Sequence, residues 1–384
     1  MTHLGVKAAL ATPEAVRERC TALLTLAEED ALAHFHLVPE RLEAAASLVA
    51  EVTKETYPDL RVPLHSRWRH FELAGRDLWA EILARKPDLG RPARARAEFE
   101  LAIVSVMLDA GAGATWRYHD GETDLVLGRS EGLALASLRL FASGSLSEHP
   151  ESDPLRADVA ALAAFTAADL GRAFQVSDQN PLVGLVGRAA VLNGLGRSFA
   201  ARGSRPGELY DQLVGEAKEG RLPARAILVA VLEGLALSDV GCHAQAPGGL
   251  IPFHKLSQWL SYSLIEPLQH AGLTITDPDG LTGLAEYRNG GLFIDSGVLE
   301  ARNSATLTQT WPAYSELVVE WRALTVALLD RLAPLVRERL GLGPAELPLG
   351  AVLQGGSWAA GRRLAASMRG GRPPIAVDSD GTLF

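Results

Sequence analysis

A scarce basic residue stands in the segment PFHKLSQWLSYSLIEPL, residues 252–268. Only five lysines occur in the 384-residue chain, and Lys255 lies here among apolar and aromatic residues. At helical spacing its face continues through Gln258, Trp259, Tyr262 and Glu266. Hydrogen-bond donors, an acceptor and flat aromatic surface are what one wall of a small-molecule pocket needs. An interface to another helix, with the Lys255 ammonium reaching water, is the alternative that stays open.

A second polar run, EYRN at 286–289, lies between glycines and apolar residues. Its irregular composition predicts a shaped loop across 281–295, and reactive groups concentrate on loops that a rigid scaffold positions. The other interpretation is a surface turn in which Glu286 and Arg288 pair with each other.

Two charged residues are embedded in the predicted helix 314–341, which is apolar almost all round from Leu317 to Leu329. Glu320 and Arg322 are two positions apart, so they point in different directions and do not pair with each other. Each needs a partner from another element, because a lone buried charge costs several kcal/mol. Either both form ion pairs of the core, or one of them reaches a buried site.

Two segments have the features of an anion site at a helix N-terminus. In GRSEGLALAS, Ser130 is a predicted N-cap with Arg129 before it. In GGSWAAGRR, residues 355–363, Ser357 is a predicted N-cap with Arg362 in the second turn. Free N–H groups and the helix dipole favour a phosphate there. Neither segment matches a Walker loop or a dinucleotide fingerprint, and a serine cap without a ligand is the alternative.

The segment LDAGAGATWRYHDG, residues 108–121, combines a carboxylate, glycines and aromatic residues. Asp109 ends a predicted helix, and the glycines after it let another group approach the backbone closely. Asp109 is a candidate for ribose hydroxyls and Trp116 for enclosing the sugar. A helix cap followed by a packed aromatic loop explains the same residues.

The elements that must hold these side chains are predicted to be helices. Strand-like alternation is confined to three short segments, at 272–276, 291–295 and 373–377. We expect a mainly α fold, a multi-helix domain with a few short strands. The whole chain, 1–384, is predicted to be one domain, with an N-terminal helical part at 1–94 and the site in 95–384.

Composition and missing motifs argue against several classes of function and location. The chain has 37 basic and 46 acidic residues, a net charge of −9 and no basic run, which argues against nucleic-acid binding. The sequence lacks H-E-x-x-H, and no supporting constellation accompanies Cys242 or any serine, so we expect no metal, no cofactor and no covalent nucleophile. No apolar run is long enough for a signal peptide or a membrane span. We therefore expect a cytoplasmic protein.

Seven segments, in order, carry a family resemblance. They are DAGAGATWRY, RSEGLALAS, FQV…NPLVGLVGR, PFHKLSQWLSYSLIEP, LTGLAEYRNGGLFID, VVEWRALTVALLD and PPIAVDSDGTLF. Together they resemble the uracil catabolism protein 4 family (domain of unknown function 1688), from about residue 95 onward. The chain departs from the family pattern at Ala285, where a proline is expected, and in SDVGCHAQAPGGL before residue 250. The resemblance implies a role in a pyrimidine-degrading pathway, in which uracil becomes a nucleotide, its ring is opened and a ribosylurea-type intermediate yields urea.

A fainter similarity concerns three short motifs. The order K-x-x-Q, then [DE]-Y-R, then E-x-R-A is similar to the queuosine-nucleotide salvage hydrolases, which cleave an N-glycosidic bond in a nucleoside monophosphate. That similarity implies a DNA-glycosylase-like helical architecture. The matching positions are Lys255 with Gln258, Glu286 with Tyr287 and Arg288, and Glu320 with Arg322.

The two resemblances imply a metal-independent N-glycosidase acting on a phosphoribosyl urea-type compound. Glu286 is the predicted catalytic carboxylate at C1′, and Lys255 is predicted to keep it ionised. The predicted substrate contacts are His254, Gln258, Trp259, Tyr262, Tyr287, Arg288, Asp109, Trp116, Glu320, Arg322 and Asp380. The predicted phosphate contacts are Arg129, Ser130, Ser357 and Arg362.

The expected partner is a small phosphorylated ribose derivative, with contacts to other pathway enzymes and the subunit number left open. A non-catalytic protein that binds a ring-opened uracil nucleotide, or scaffolds the pathway, is the alternative function.

Overall fold

A computed structural model of the chain describes residues 9–85, 89–235 and 237–378. Helices form most of it. They are α1 Pro13–Glu28, α2 Leu42–Thr56, α3 Leu78–Ala84, α4 Arg91–Met107, α5 Arg129–Ala142, α6 Val159–Ala164, α7 Ala167–Ala173, α8 Leu185–Ala200, α9 Leu209–Glu216, α10 Ala224–Leu235, α11 Lys255–His270, α12 Tyr287–Asp295, α13 Glu316–Leu340, α14 Leu349–Val352 and α15 Trp358–Arg369. A π-helical turn, Leu353–Ser357, joins α14 to α15.

The strands are short and pair two by two. They are β1 Phe35–Leu37, β2 Glu72–Leu73, β3 Arg76–Asp77, β4 Tyr118–Asp120, β5 Leu125–Leu127, β6 Arg221–Pro223, β7 Val240–Cys242, β8 Leu250–Pro252, β9 Thr274–Thr276, β10 Leu299–Ala301, β11 Thr310–Pro312 and β12 Ala376–Asp378. The antiparallel pairs are β1–β10, β2–β3, β4–β5 and β7–β8, and the parallel pairs are β6–β9 and β11–β12. The predicted mainly α fold is confirmed, whereas the DNA-glycosylase-like architecture stays a prediction.

The chain divides into two compact units. Among the described residues, the first unit comprises 9–65, 237–258 and 277–378, and the second comprises 66–85, 89–235 and 259–276. Helix α11 contributes its first four residues to the first unit and the rest to the second. The single domain expected from the sequence stays a prediction.

The long helix α13 forms the core of the first unit. Every residue from Leu317 to Leu329 is buried, as its sequence predicts. Two glycines let neighbouring segments pack closely against it: a Cβ at Gly283 would lie 2.7 Å from Leu329, and one at Gly290 would lie 2.7 Å from Trp321. Larger residues at these two positions would push their segments away from α13.

None of the helices in the three described ranges is long and apolar enough to cross a membrane.

Candidate functional site

Lys255 is the first residue of α11, and Asp239 holds that helix start in place. The Asp239 carbonyl accepts the N–H groups of Phe253 (2.9 Å) and His254 (3.2 Å), and its carboxylate accepts the Lys255 N–H at 3.4 Å. A carboxylate at a helix N-terminus satisfies free N–H groups and complements the helix dipole. The backbone of Lys255 is thereby fixed, and its side chain is half-buried.

Arg322 of α13 ties this helix start to the segment before Glu286. Its guanidinium forms a two-pronged ion pair with Asp239, at 3.1 and 2.5 Å, and its Nε donates to the Ala285 carbonyl at 3.4 Å. Burial acts to raise the pKa of Asp239, but the charge and hydrogen bonds of Arg322, together with the Lys255 N–H, outweigh it and hold that pKa below its usual value. One buried arginine therefore positions the backbones next to both Lys255 and Glu286.

Glu286 is the N-cap of α12. Its two carboxylate oxygens accept the N–H groups of Arg288 at 2.7 Å and Asn289 at 2.6 Å. The loop predicted across 281–295 is therefore wrong from Tyr287 onward, and so is the strand predicted at 291–295. The Glu286 side chain caps the first turn of α12 and so favours a helix start there. The adjacent Gly290 and Gly291 disfavour a helix, but close packing at Gly290 stabilises it.

The Glu286 carboxyl has a raised pKa. The surrounding protein excludes water from it and thereby disfavours the charged form, although part of the residue reaches solvent. The N–H groups of Arg288 and Asn289 act in the opposite direction, and so does the Lys255 ammonium. Lys255 and Glu286 therefore lie close enough to interact. A carboxylate of raised pKa beside a cation is suited to accept a proton near neutral pH.

Gln258 links α11 to the same segment. It lies one helical turn after Lys255 and is fully buried, and its Oε1 accepts the Thr282 N–H at 3.3 Å. Its amide nitrogen has no hydrogen-bond acceptor among the described residues. Gln258 thus positions the chain at Thr282, four residues before Glu286, and its amide N–H group is left as a buried donor.

Tyr287 and Arg288, predicted as substrate contacts, lie at the start of α12. The Arg288 guanidinium stacks over the Tyr287 ring at 4.8 Å and donates to the Gly371 carbonyl at 3.2 Å. The sequence left open whether Glu286 and Arg288 pair with each other. The structure shows a hydrogen bond in which the Arg288 backbone N–H donates to the Glu286 carboxylate. Arg288 is buried, whereas Tyr287 keeps part of its surface exposed next to Glu286.

Glu320 serves the core of the first unit. It is fully buried and accepts the N–H groups of His34 (3.1 Å) and Phe35 (2.9 Å), and it bonds to His243 Nε2 at 3.2 Å. The sequence predicts that Glu320 and Arg322 each have a partner on another element. These bonds supply the partners of Glu320, and the ion pair with Asp239 supplies that of Arg322. The carboxylate is occupied by protein groups, so nothing here supports its predicted contact with substrate.

His254 is also engaged by the protein. Its Nδ1 accepts the Asp239 N–H at 3.2 Å, and its Nε2 bonds to the Leu10 carbonyl at 2.9 Å. Burial lowers the pKa of His254 and favours the neutral ring. Both ring nitrogens hold the turn before α11 and are occupied by protein groups, and the substrate contact of His254 stays a prediction.

Ser357 is wrong as a predicted N-cap. It has helical φ and ψ angles of −65° and −43° inside the continuous run from α14 to α15, and so it marks no helix start. Its hydroxyl is buried and donates to Asn289 Oδ1 at 2.8 Å. Arg362 is exposed and lies over the Trp358 ring at 5.5 Å. The free N–H groups that would hold a phosphate are absent at Ser357.

His65 is a residue that the sequence analysis missed. It lies in the first unit, where its Nδ1 bonds to Gln354 Oε1 at 2.9 Å and its ring centroid is 6.5 Å from that of Trp358. Burial lowers the pKa of His65 to about 4, and the Lys255 ammonium contributes to the lowering. His65 is thus within electrostatic range of Lys255, and a lone histidine outside any known motif gave no signal of it.

In the second unit, the predicted residues Asp109, Ser130 and Trp259 surround Arg67. The fully buried Arg67 pairs with Asp109 at 2.6 Å and lies 5.4 Å from the Trp259 ring, while Ser130 donates to Asp109 at 2.9 Å. Helix α5 begins at Arg129 with Gly128 as its N-cap, so Ser130 is not the predicted cap. Arg129 itself is exposed. An ion pair therefore occupies Asp109, which was expected to bind ribose.

Two other predicted contacts are buried in the second unit. Trp116 stacks on Phe174 with ring centroids 6.1 Å apart, and its indole N–H donates to the Phe174 carbonyl at 3.0 Å. Tyr262 is fully buried in α11. The packed aromatic loop is therefore the better interpretation of Trp116. Asp380 lies outside the described residues.

Across residues 9–85, 89–235 and 237–378, no three His, Cys, Asp or Glu side chains are grouped so that they could hold a metal ion.

Comparisons with known proteins cover nearly the whole chain. A family model described as protein of unknown function (DUF1688) matches residues 9–239 and 236–384. Protein urg3 of Schizosaccharomyces pombe is 36% identical over 391 residues, which is 96% of this chain and 96% of that protein. Uracil catabolism protein 4 of Lachancea kluyveri is 34% identical over 409 residues, covering 91% of this chain and 92% of that protein.

Proposed function

This chain belongs to the DUF1688 family of proteins of unknown function, and from that premise we propose that it is a hydrolase of uracil catabolism. The substrate is a phosphoribosyl urea-type compound, and the bond cleaved is the C1′–N bond. The name of the Lachancea kluyveri relative supports the pathway. The observation that carries the proposed chemistry is the interaction of Lys255 with Glu286, whose pKa is raised.

In the proposed reaction, a water oxygen bonds to C1′ of the ribose while the C1′–N bond breaks. The electron pair of the broken bond goes to the nitrogen, and positive charge develops on the sugar in the transition state. Glu286 takes a proton from the water and stabilises that charge, and the Lys255 ammonium gives a proton to the leaving nitrogen. A proton then returns from Glu286 to Lys255. The products are ribose 5-phosphate and urea.

The protein contacts around Glu286 fit this role. Each carboxylate oxygen accepts one backbone N–H and keeps a further lone pair, so the group is oriented and remains able to accept a proton. The Gln258 amide nitrogen is a buried donor without an acceptor in the part of the chain that the structure describes, and such a donor is costly unless a ligand satisfies it. A carbonyl or hydroxyl oxygen of the substrate is the acceptor we propose for it.

Purified protein incubated with 5-phosphoribosyl urea tests the proposal through urea release. Glu286→Gln is expected to lower turnover by about 10²-fold or more while substrate still binds. Glu320→Gln is the matched control, because Glu320 also accepts two backbone N–H groups but serves the core. It is expected to lower stability and to leave turnover near the wild-type value.

Two results would overturn the hydrolase. One is wild-type protein that binds the compound and releases no urea at any pH, which is the behaviour of the non-catalytic binding protein. The other is Glu286→Gln protein that turns over as fast as wild type.

A further inference from the structure

Asn289 is a buried residue of the first turn of α12, and it is bonded on three sides. Its backbone N–H donates to Glu286 Oε1 at 2.6 Å. Its side-chain oxygen Oδ1 accepts a hydrogen bond from the Ser357 hydroxyl at 2.8 Å, and its Nδ2 donates to the Leu284 carbonyl at 3.4 Å. One residue thus connects the Glu286 carboxylate, the segment before it and the helical run α14–α15.

The Leu284 carbonyl determines how the Asn289 amide is oriented. A carbonyl oxygen only accepts hydrogen bonds, so the amide nitrogen must face Leu284 and the amide oxygen must face Ser357. The same carbonyl accepts the Glu286 backbone N–H at 2.9 Å. The Asn289 side chain and the Glu286 backbone are therefore bonded to one common acceptor.

Ser357 is presented to Asn289 by a tightly packed part of the first unit. It is the last residue of the π-helical turn Leu353–Ser357, and such turns inside helical runs are rare and frequent at functional sites. A Cβ at Gly356 would clash with α2, and a Cβ at Gly361 would clash with the Arg288 carbonyl of α12. Close packing on both sides leaves this part of the α14–α15 run little room to move.

We propose that Asn289 and Ser357 are positioning residues for Glu286: the Ser357 hydroxyl fixes the Asn289 side chain, and this fixes the backbone N–H that orients the carboxylate. The catalytic consequence rests on the proposed function, whereas the effect on the carboxylate itself is testable without turnover. In the competing interpretation the two residues only join α12 to the α14–α15 run, and the carboxylate keeps its orientation without them.

A titration of the Glu286 carboxyl tests the proposal in the intact protein. The Asn289 backbone N–H favours the ionised carboxylate and so acts to lower the pKa of Glu286. If that N–H is displaced, the pKa is expected to rise. Lys255 and Arg288, whose charges also act on this carboxyl, are left unchanged. NMR of protein with ¹³C-labelled glutamate follows the Glu286 resonance, which is assigned by its absence in Glu286→Gln.

Two variants and one control are compared in this titration. Asn289→Leu keeps a similar side-chain shape without the amide and is expected to raise the pKa of Glu286. Ser357→Ala removes one hydroxyl, is expected to raise the pKa by less, and serves as the milder variant if Asn289→Leu does not fold. Ser257→Ala is the control, because this buried serine of the first unit donates to the Leu237 carbonyl at 2.9 Å. It is expected to leave the pKa of Glu286 at the wild-type value.

Kinetics with 5-phosphoribosyl urea test the catalytic consequence. Asn289→Leu is expected to lower kcat by up to about 10²-fold, because a small misplacement of a catalytic group costs that much. KM is expected to stay near the wild-type value, since the carboxylate acts on the charge that develops in the transition state. The acidic limb of the pH profile is expected to move to higher pH, because activity needs the ionised carboxylate.

The double variant Asn289→Leu/Ser357→Ala completes the test. If Ser357 acts through Asn289, its removal adds no further change in kcat or in the pKa of Glu286. A pKa of Glu286 that is unchanged in both single variants would overturn the proposal, as would a full additional effect of Ser357→Ala in the double variant. If the wild type releases no urea, the proposed function fails, and the titration still decides whether Asn289 and Ser357 position the carboxylate.

Discussion

The Lys255 ammonium lowers the pKa of the Glu286 carboxyl, although the two residues start different helices. Burial raises that pKa more strongly than the ammonium lowers it, so the carboxyl keeps a net upward shift. The opposing effects tune the basicity of Glu286. The cation therefore lowers the pH at which the carboxylate becomes available as a base.

Replacing Lys255 by methionine is expected to move the acidic limb of the pH–activity profile to higher pH. The unbranched methionine side chain fills much of the same volume without the charge, so burial then acts on Glu286 with less opposition and its pKa rises further. Activity needs the ionised carboxylate, and so the variant loses more activity at acidic than at alkaline pH. Measurement of kcat/KM against pH checks this.

Lys218→Met is the matched control for this experiment. Lys218 is an exposed lysine of the second unit, and its removal changes the net charge of the protein by the same amount. Its profile is expected to coincide with that of the wild type. An acidic limb that stays in place in Lys255→Met would contradict the interaction with Glu286.

Arg322→Met is expected to destabilise the protein by about 3–5 kcal/mol. The substitution leaves the buried Asp239 carboxylate without its counter-ion, and an uncompensated buried charge costs that much. Urea denaturation measures the loss. The double variant Arg322→Met/Asp239→Asn is expected to recover part of it, because the unpaired charge is then removed as well. A double variant no more stable than Arg322→Met alone would contradict the assigned role of the pair.

Gln258→Met is expected to cost about 1–3 kcal/mol and to raise KM. The change leaves the buried Thr282 N–H without its acceptor and removes the amide donor proposed for the substrate. Ser257→Ala removes a neighbouring side-chain hydrogen bond to the Leu237 carbonyl, at 2.9 Å, and is the control that is expected to keep KM unchanged. Steady-state kinetics and thermal unfolding of both variants decide whether Gln258 acts on the substrate as well as on the fold.

Much of this helical framework follows from local patterns. The apolar period predicts a helix at 254–271 and the structure has α11 at Lys255–His270, and the predicted helix 314–341 corresponds to α13. The strand predicted at 272–276 is present in part as β9, Thr274–Thr276. In these segments the side-chain periodicity and the tertiary packing favour the same structure, and a sequence pattern is then sufficient.

The site depends on contacts that no local pattern contains. Glu286 begins a helix because its carboxylate accepts two backbone N–H groups, and the glycines that suggested a loop allow α12 to pack on Trp321. Arg67 begins a short 3₁₀ helix and His65 precedes that helix, and each acquires its partner from a distant part of its own unit. Long-range partners of this kind are not encoded in spacing, so sequence analysis missed both residues.

The last prediction concerns Glu100, a fully buried carboxyl of α4 in the second unit. Burial raises the pKa of Glu100 to about 7, against the opposing effects of Arg205 and of the N–H groups of Ala157 and Gly207. In the unfolded chain its pKa is about 4.3, so between that value and about 7 the folded state binds more protons than the unfolded state.

The free energy of unfolding is therefore expected to lose a contribution from Glu100 as pH rises through this interval, and Glu100→Gln is expected to remove that decline. Glu98 is the matched control: it is buried in the same helix, and bonds from His270, Arg94 and Trp79 outweigh its burial and lower its pKa. Any pH dependence from Glu98 thus lies at lower pH and has the opposite sign, with stability lost as pH falls. Denaturant titrations across the interval give the slopes. A Glu100→Gln slope equal to that of the wild type would show that this carboxyl is already ionised throughout it.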